Sequence, residues 1–189
     1  MVGRLIYLMG ASGAGKDSLL DAVRGQLKAQ RCRIVTRVIT RSAEARGENA
    51  IAVSAAEFDR RRRDGDFAMS WEANGLAYGI PKEIDAWLAA GSHVLVNGSR
   101  EYLHEARKRH PDLLAVLLQV EPEVLRARLL ERGRETPDDI EARLMRNSRF
   151  ASNAGKGDES VLCLDNSGPL QDSVTRLVQL IGSSAHAFD

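Results

Sequence analysis

Apolar and polar positions along this chain follow two rhythms, one of period two or less and one near 3.6. Leu5-Ile6-Tyr7-Leu8-Met9 is an unbroken apolar run, the pattern of a strand buried on both faces of a parallel sheet. From residue 16 to about residue 30 the spacing turns helical, with Leu20, Val23 and Leu27 on one face. Residues 33–40, Arg-Ile-Val-Thr-Arg-Val-Ile-Thr, are β-branched and alternating and predict one strand. Ser54 with Glu57 three positions on, ahead of Phe58, predicts a capping box. Pro81 and Gly91 bracket a helix whose inner stripe is Ile84, Trp87 and Leu88. A short strand over 93–96 and a helix over 102–109 come next, then a strongly apolar strand over 113–120. Pro122 opens a helix through Leu125 and Leu129 that Gly133 stops, and Thr136-Pro137-Asp138-Asp139 caps another through Ile140 and Leu144. Residues 161–164 form a last strand, and Pro169 starts a helix with Leu170, Val174, Leu177 and Ile181 along one face.

Strands alternating with helices predict an α/β fold, a parallel sheet covered by helices on both sides. The expected organisation is a single domain with a core of residues 1–35, 81–127 and 156–189. Residues 36–80 and 128–155 are polar and Arg-rich, and read as two lobes over the carboxyl ends of the strands, where ligands bind in such sheets.

The first strand leads into Gly10-Ala11-Ser12-Gly13-Ala14-Gly15-Lys16, a G-x-x-x-x-G-K pattern directly before a helix. Glycines let successive backbone N–H groups turn inward onto phosphate oxygens, the following helix adds the positive end of its dipole, and the lysine reaches the β- and γ-phosphates. The predicted architecture is therefore a P-loop three-layer sandwich carrying an acceptor-binding lobe and a lid, with ATP and magnesium as the implied cofactors. The residue after the lysine is Asp17 rather than Ser or Thr, with Ser18 next. Either Ser18 or Asp17 holds the metal, and Asp17 also suits the helix dipole. No second metal-binding aspartate is evident, because the strand Val94-Leu95-Val96 ends in Asn97.

Composition narrows the partners. With 189 residues, 43% apolar, 28% charged and a formal charge of +1, the chain has the balance of a soluble globular protein and no long-range field for nucleic acid or membrane. The apolar start is too short for a signal peptide or membrane span, and Cys32 and Cys163 make no disulfide framework or metal spacing. A cytoplasmic location is expected, as monomer or homodimer. His93, His104, His110 and His186 are scattered and read as solvated.

No general base stands out, which matters for the acceptor. An acceptor that is itself a phosphate brings its own anionic oxygen, and the difficulty becomes repulsion: about 3 kcal/mol for two unit charges ~5 Å apart at an effective dielectric near 20, and roughly four times that for two dianions. General-base catalysis contributes only about 3–5 kcal/mol, so a phosphate acceptor needs arginines more than a base. Arg37, Arg41 and Arg46 lie in the first lobe, and Arg128, Arg132, Arg134, Arg143 and Arg146 in the second. Arg128 and Arg132 are spaced i, i+4 on one helix face, whereas Arg60 to Arg63 read as a solvated helix end.

With these motifs the chain resembles the guanylate kinase family of nucleoside monophosphate kinases over nearly its whole length. Thr40-Arg41…Arg46-Gly47-Glu48 resembles that family's T-R-x-x-R-x-G-E acceptor-phosphate motif with one residue inserted. Glu72, Gly75 and Tyr78-Gly79 match its E-x-x-G-x-x-Y-G segment, and Arg128…Arg132-Gly133…Arg143-Leu144 its lid pattern. The resemblance implies that Arg41 and Tyr78 hold the acceptor phosphate, and that Arg128, Arg132 and Arg143 bridge ATP and the transition state. Glu48 and Glu72 are left open between positioning substrate hydroxyls and stabilising the lobe by ion pairs.

The family's guanine-reading pattern is broken: Arg37 replaces a serine four residues before Arg41, the usual tyrosine is missing around Ala50-Ile51-Ala52-Val53, and Ile80 follows Tyr78-Gly79 in place of Ser or Thr. Losing these polar groups together disfavours a base, and the added cation suits a second phosphate. With Gly15-Lys16-Asp17-Ser18 and Asn97-Gly98-Ser99-Arg100, the set is similar to the branch that phosphorylates ribose 1,5-bisphosphate to 5-phosphoribosyl 1-diphosphate during phosphonate breakdown. A phosphorylated sugar is thus the implied substrate. Guanylate kinase activity and a non-catalytic guanylate-kinase-like binding module are the alternatives.

Overall fold

A computed structural model describes residues 2–40, 50–133, 135–154 and 160–186. The apolar run forms β1 (Leu5–Gly10), its first five residues buried, and the loop after it feeds α1 (Lys16–Ala29). Leu19, Leu20, Val23 and Leu27 make the buried stripe of α1. The segment expected as one strand is two: β2 (Cys32–Ile34) and β3 (Arg37–Thr40). Val35 still donates to Leu95 O (3.0 Å), and after Thr36 the chain joins a different sheet. Alternation alone could not reveal this break, since both pieces are β-branched and half-buried.

Then come β4 (Ala50–Val53), α2 (Ala55–Arg63), β5 (Phe67–Ala73) and β6 (Leu76–Pro81). The Ser54 hydroxyl accepts from Glu57 N (3.1 Å), the serine half of the expected box, while the Glu57 carboxylate turns to Arg60 instead. β5 and β6 form a hairpin closed by Asn74 and Gly75, both at positive φ (52° and 74°), the geometry an Asn-Gly pair takes in a two-residue turn. Pro81 ends β6 and does not start the next helix, which is α3 (Glu83–Ala89).

β7 (His93–Asn97), α4 (Leu103–Arg109), β8 (Leu114–Gln119), α5 (Pro122–Arg132), α6 (Pro137–Ala154), β9 (Val161–Asp165) and α7 (Leu170–His186) complete the chain. Gly133 stops α5 in the left-handed conformation (φ 61°). Thr136 caps α6: its hydroxyl accepts from Asp139 N (3.2 Å) and donates to the Asp139 carboxylate (2.6 Å). Val174, Leu177 and Ile181 of α7 are buried as expected, but Leu170 is 37% exposed, because the first turn lies outside the buried stripe.

The strands form two sheets. One is five-stranded in the order β2-β7-β1-β8-β9, with β2 parallel to β7 and β8 parallel to β9. The other is four-stranded in the order β4-β3-β6-β5. By contacts the chain divides into two compact units, residues 1–7 with 24–113 and residues 8–23 with 114–189. No described helix is long and apolar enough to cross a membrane.

Candidate active site

The phosphate-type loop belongs to the second unit. Gly13 and Gly15 sit at φ 90° and 89°, where only glycine is unstrained, and each is also sterically confined. A Cβ on Gly13 would stand 2.8 Å from Leu129 Cδ2, and one on Gly15 would stand 2.7 Å from Asn166 Nδ2. Ala14 N donates to Ala11 O (3.1 Å), and Leu19 N to Gly15 O (2.9 Å) as α1 begins. The Lys16 ammonium lies across the loop, donating to Gly10 O (2.8 Å) and Ala11 O (2.9 Å).

Asn166, in the turn after β9 and 2% exposed, braces this loop: its Nδ2 donates to Ala14 O (2.8 Å) and its backbone N to Gln119 O (2.8 Å). Arg128 reaches the same turn, Nη2 donating to Asn166 O (2.8 Å); its Nη1 is buried with no hydrogen-bond partner among the described residues. Neighbouring Asp165 is held below its ordinary carboxylate value by hydrogen bonds from the Ser167 hydroxyl and backbone, with the Arg176 and Arg128 charges adding.

The helices after β8 pack onto the loop. Leu125, Leu129, Ile140 and Leu144 form a buried cluster that includes Ala11 and Val120 at its edge. Arg126 bridges α5 and α6 on the surface with a two-point pair to Glu141 (2.6 and 2.9 Å) and a further pair to Glu123. From α6, Arg143 Nη1 donates to Ser12 Oγ (2.7 Å), and Nη2 pairs with Glu135. Lys16 and Arg143 thus converge on residues 10–12, with Arg128 beside the loop's brace. Arg132 is exposed in the last turn of α5 and does not share the setting of Arg128.

The candidate acceptor residues belong to the first unit. Arg37 opens β3, and Tyr78 on β6 is paired with Ile39 and with Trp71. The Arg37 guanidinium lies over the Tyr78 ring, 5.2 Å from its centroid, and Nη1 donates to Asn97 O (3.2 Å). The ring of Tyr78 stacks on Trp71 (5.6 Å, 6°), and Trp71 stacks on Tyr102 (5.5 Å, 30°). Thr40 Oγ1 accepts from Ala77 N (2.7 Å), tying β3 to the same hairpin. Glu72 is 73% exposed at its side chain and faces Arg62 at 3.4 Å. Ile80, directly after Tyr78-Gly79, is buried. Arg41, Arg46 and Glu48 lie outside the described residues, as does Arg134.

Behind Asn97 the chain is pinned by Tyr7, a fully buried residue of β1. Its hydroxyl accepts from Ser99 N and donates to Ser99 O, both at 3.0 Å. Gly98 allows this approach, since a Cβ there would lie 2.1 Å from the Tyr7 ring. Burial pushes the Tyr7 phenol well above its ordinary value. Burial likewise lowers Arg100 in the same segment.

Neither Asn166 nor Tyr7, Trp71 and Tyr102 stood out in the sequence. The turn-forming run Asp165-Asn166-Ser167-Gly168 at the carboxyl end of an apolar strand was the available signal for the first. His93 departs from the solvated reading: its Nδ1 accepts from Arg4 N (3.0 Å), and burial lowers its affinity for a proton, the Arg4 and Arg31 charges acting the same way. Both cysteines are free, and burial pushes the Cys32 thiol up to about 12.

Magnesium was expected at the start of α1. Asp17 is half-buried and Ser18 exposed in the first helical turn after Lys16, and the described residues contain no cluster of three or more potential ligands. A magnesium ion carried on nucleotide phosphates takes only one or two protein oxygens, so this donor set fits it.

A glycine-confined loop between a buried strand and a helix, crossed by its lysine, defines a P-loop kinase fold. Solved structures agree: guanylate kinase from Anaplasma phagocytophilum superposes with a TM-score of 0.73 at 18% identity, covering 99% of this chain and 88% of that one. A gluconokinase from Sinorhizobium meliloti is more distant, at 0.50 and 20% identity over 97% of this chain and 98% of that one. No family model matches the chain. Curated relatives are much nearer. The ribose 1,5-bisphosphate phosphokinase PhnN of Pseudomonas paraeruginosa is 63% identical over 182 residues, 96% of this chain and 97% of its own. Its namesake in Azotobacter vinelandii is 56% identical over 187 residues, 99% of this chain and 100% of its own. The chain belongs to the ribose 1,5-bisphosphate phosphokinase family, and is a phosphotransferase.

Proposed function

We propose that the chain transfers the γ-phosphoryl group of ATP to the 1-phosphate of ribose 1,5-bisphosphate, giving ADP and 5-phosphoribosyl 1-diphosphate. Family membership supports the substrate, and the convergence of Lys16 and Arg143 on residues 10–12 carries the chemistry. An oxygen of the acceptor's 1-phosphate attacks the γ-phosphorus. The bond from that phosphorus to the β,γ-bridging oxygen breaks, and the electron pair leaves on ADP. The attacking oxygen is already an anion at neutral pH, so no base is required.

The protein's part is charge and alignment. Lys16 and the loop N–H groups receive the β- and γ-oxygens, Arg143 offsets charge on the transferring group, and Asn166 keeps the loop rigid by holding Ala14 O. Arg128 and Arg132 are candidates for further nucleotide contacts, with Arg128 the better positioned by its anchor on Asn166 O. A magnesium ion bound with ATP would offset the phosphate charge, with Asp17 and Ser18 as the residues to hold it. Arg37 and Tyr78 are the described candidates for acceptor binding, joined from the sequence by Arg41, Arg46 and Glu48. The exposed Arg62–Glu72 pair favours a lobe-stabilising part for Glu72. A cytoplasmic kinase of small molecules, with no nucleic-acid or membrane partner, is the corresponding cellular reading.

Steady-state turnover with ATP and either ribose 1,5-bisphosphate or GMP tests this. Efficient turnover of the sugar is expected. Turnover of GMP alone would make the chain a guanylate kinase, and failure to bind ATP in calorimetry would make it a binding module.

A further inference from the structure

An aromatic ring has two faces on which a planar ligand can stack. In the first unit several such rings already have partners. Arg37 covers one face of Tyr78 and Trp71 is stacked against the same ring, while Trp71 is stacked in turn against Tyr102. The order Arg37–Tyr78–Trp71–Tyr102 is a continuous pile with a cation at one end. Trp71 and Tyr78 are also buried, so the pile cannot open without moving the hairpin that carries both.

The cation at the end of the pile is held by two contacts. Its face rests on Tyr78, and its Nη1 is fixed by Asn97 O. That carbonyl lies at the end of β7, and the next residues are clamped by the paired Tyr7–Ser99 hydrogen bonds, at the approach that Gly98 permits. Stacking occupies the flat face of a guanidinium; anions are recognised by its in-plane N–H groups. Arg37 therefore covers that face of Tyr78 with a charged group whose donors are of the kind that recognise a phosphate.

We propose that Arg37 is the specificity-determining residue of the acceptor site: seated on Tyr78, it closes the ring face a nucleobase would stack on and provides a cation for the phosphate of a sugar in its place. This rests on the acceptor reading given above and deepens it. The 1-phosphate is the attacking group, and Arg37 takes the phosphate that does not react. An acceptor with two phosphates is thus preferred to one phosphate with a base.

The test uses the full chain with R37S, R37Q and R37K. Each is assayed with ATP and ribose 1,5-bisphosphate, with ribose 1-phosphate, and with GMP as an inhibitor competing with the sugar. Loss of a charge-assisted contact is expected to raise the sugar bisphosphate KM about 10- to 100-fold in R37S and R37Q, with R37K between these and the wild type. The ATP KM should stay within about twofold. The advantage of ribose 1,5-bisphosphate over ribose 1-phosphate should shrink by about the same factor, and GMP should inhibit R37S at lower concentration than the wild type. Circular dichroism and thermal melting confirm that each variant is folded, and R37Q retains a donor for Asn97 O should R37S not be. A bisphosphate preference unchanged within about twofold in R37Q and R37K, or sugar and ATP KM values rising together, would overturn the proposal while leaving the phosphotransferase reading intact. Absence of wild-type turnover with ribose 1,5-bisphosphate would overturn that reading, and this inference with it.

Discussion

Removing a single oxygen from the middle of β1 tests how the Asn97 segment is built. In Y7F the ring keeps its position against Gly98, but Ser99 loses a donor and an acceptor at once, each 3.0 Å from the phenol oxygen. A buried polar group left unpaired costs about 1–3 kcal/mol, and two are affected. Ser99 is only half-buried, so water can satisfy one of them, and phenylalanine no longer buries a hydroxyl. The net loss works out at roughly 1–2 kcal/mol. For a chain of this length that corresponds to a Tm lowered by about 2–8 °C. Urea unfolding followed by circular dichroism should show a lower midpoint with an unchanged slope. The phenol's proton affinity in the folded state is raised by burial, so the neutral form is the one the fold retains. Its contribution is complete below the ordinary tyrosine value near 10 and is lost only as the pH rises beyond it; the gap between wild type and Y7F should be constant from about pH 6 to pH 9. The sugar KM should rise more than the ATP KM, since Asn97 O orients Arg37. A stability loss under about 0.5 kcal/mol, within the range of an ordinary surface substitution, would refute the clamp.

Three further outcomes follow from the geometry. K16A should reduce turnover by at least about 1000-fold, the scale of losing a principal transition-state charge contact, with the melting curve nearly unchanged; retained turnover in a coupled ADP-release assay would remove the loop from the chemistry. N166A leaves the carbonyl of buried Ala14 unpaired and should cost about 1–2 kcal/mol in urea unfolding together with a higher ATP KM; an unaltered ATP KM would mean the loop holds its shape without the brace. His93 has its folded-state proton affinity lowered, so the unfolded chain protonates first and stability falls as pH drops below the ordinary value near 6.5. H93N keeps an acceptor for Arg4 N and should lose less stability than wild type between about pH 7.5 and pH 5.5, with half-buried His110 supplying part of what remains; identical losses would show that His93 does not titrate as the geometry requires.

What could be read from the sequence was local. The apolar run of β1, the two glycines forced to positive φ and the lysine that follows are consecutive in the chain, and the fold preserves them as a unit. The start of α6 is likewise a four-residue affair between Thr136 and Asp139. The four-stranded sheet was harder, because β3 and β6 are far apart in sequence and the segments between them are rich in arginine. Even so, the Asn74-Gly75 turn was a hairpin signal that the polar composition of the lobe obscured. Side-chain partnerships across long separations were not legible at all. Tyr7 with Ser99, Arg37 with Asn97 and Asn166 with Ala14 join residues 92, 60 and 152 positions apart, and no periodicity records them.

The last of these pairs has a consequence for biogenesis. On the ribosome β1 and the glycine loop emerge well before their brace: the side chain that stands against Gly15 and secures Ala14 is translated 152 residues after Ala14. Until β9 docks beside β8, the nascent polypeptide holds a nucleotide cradle without its brace. Competence to grip triphosphate is therefore acquired only after β9 and the turn that follows it have been made, however early the glycines were.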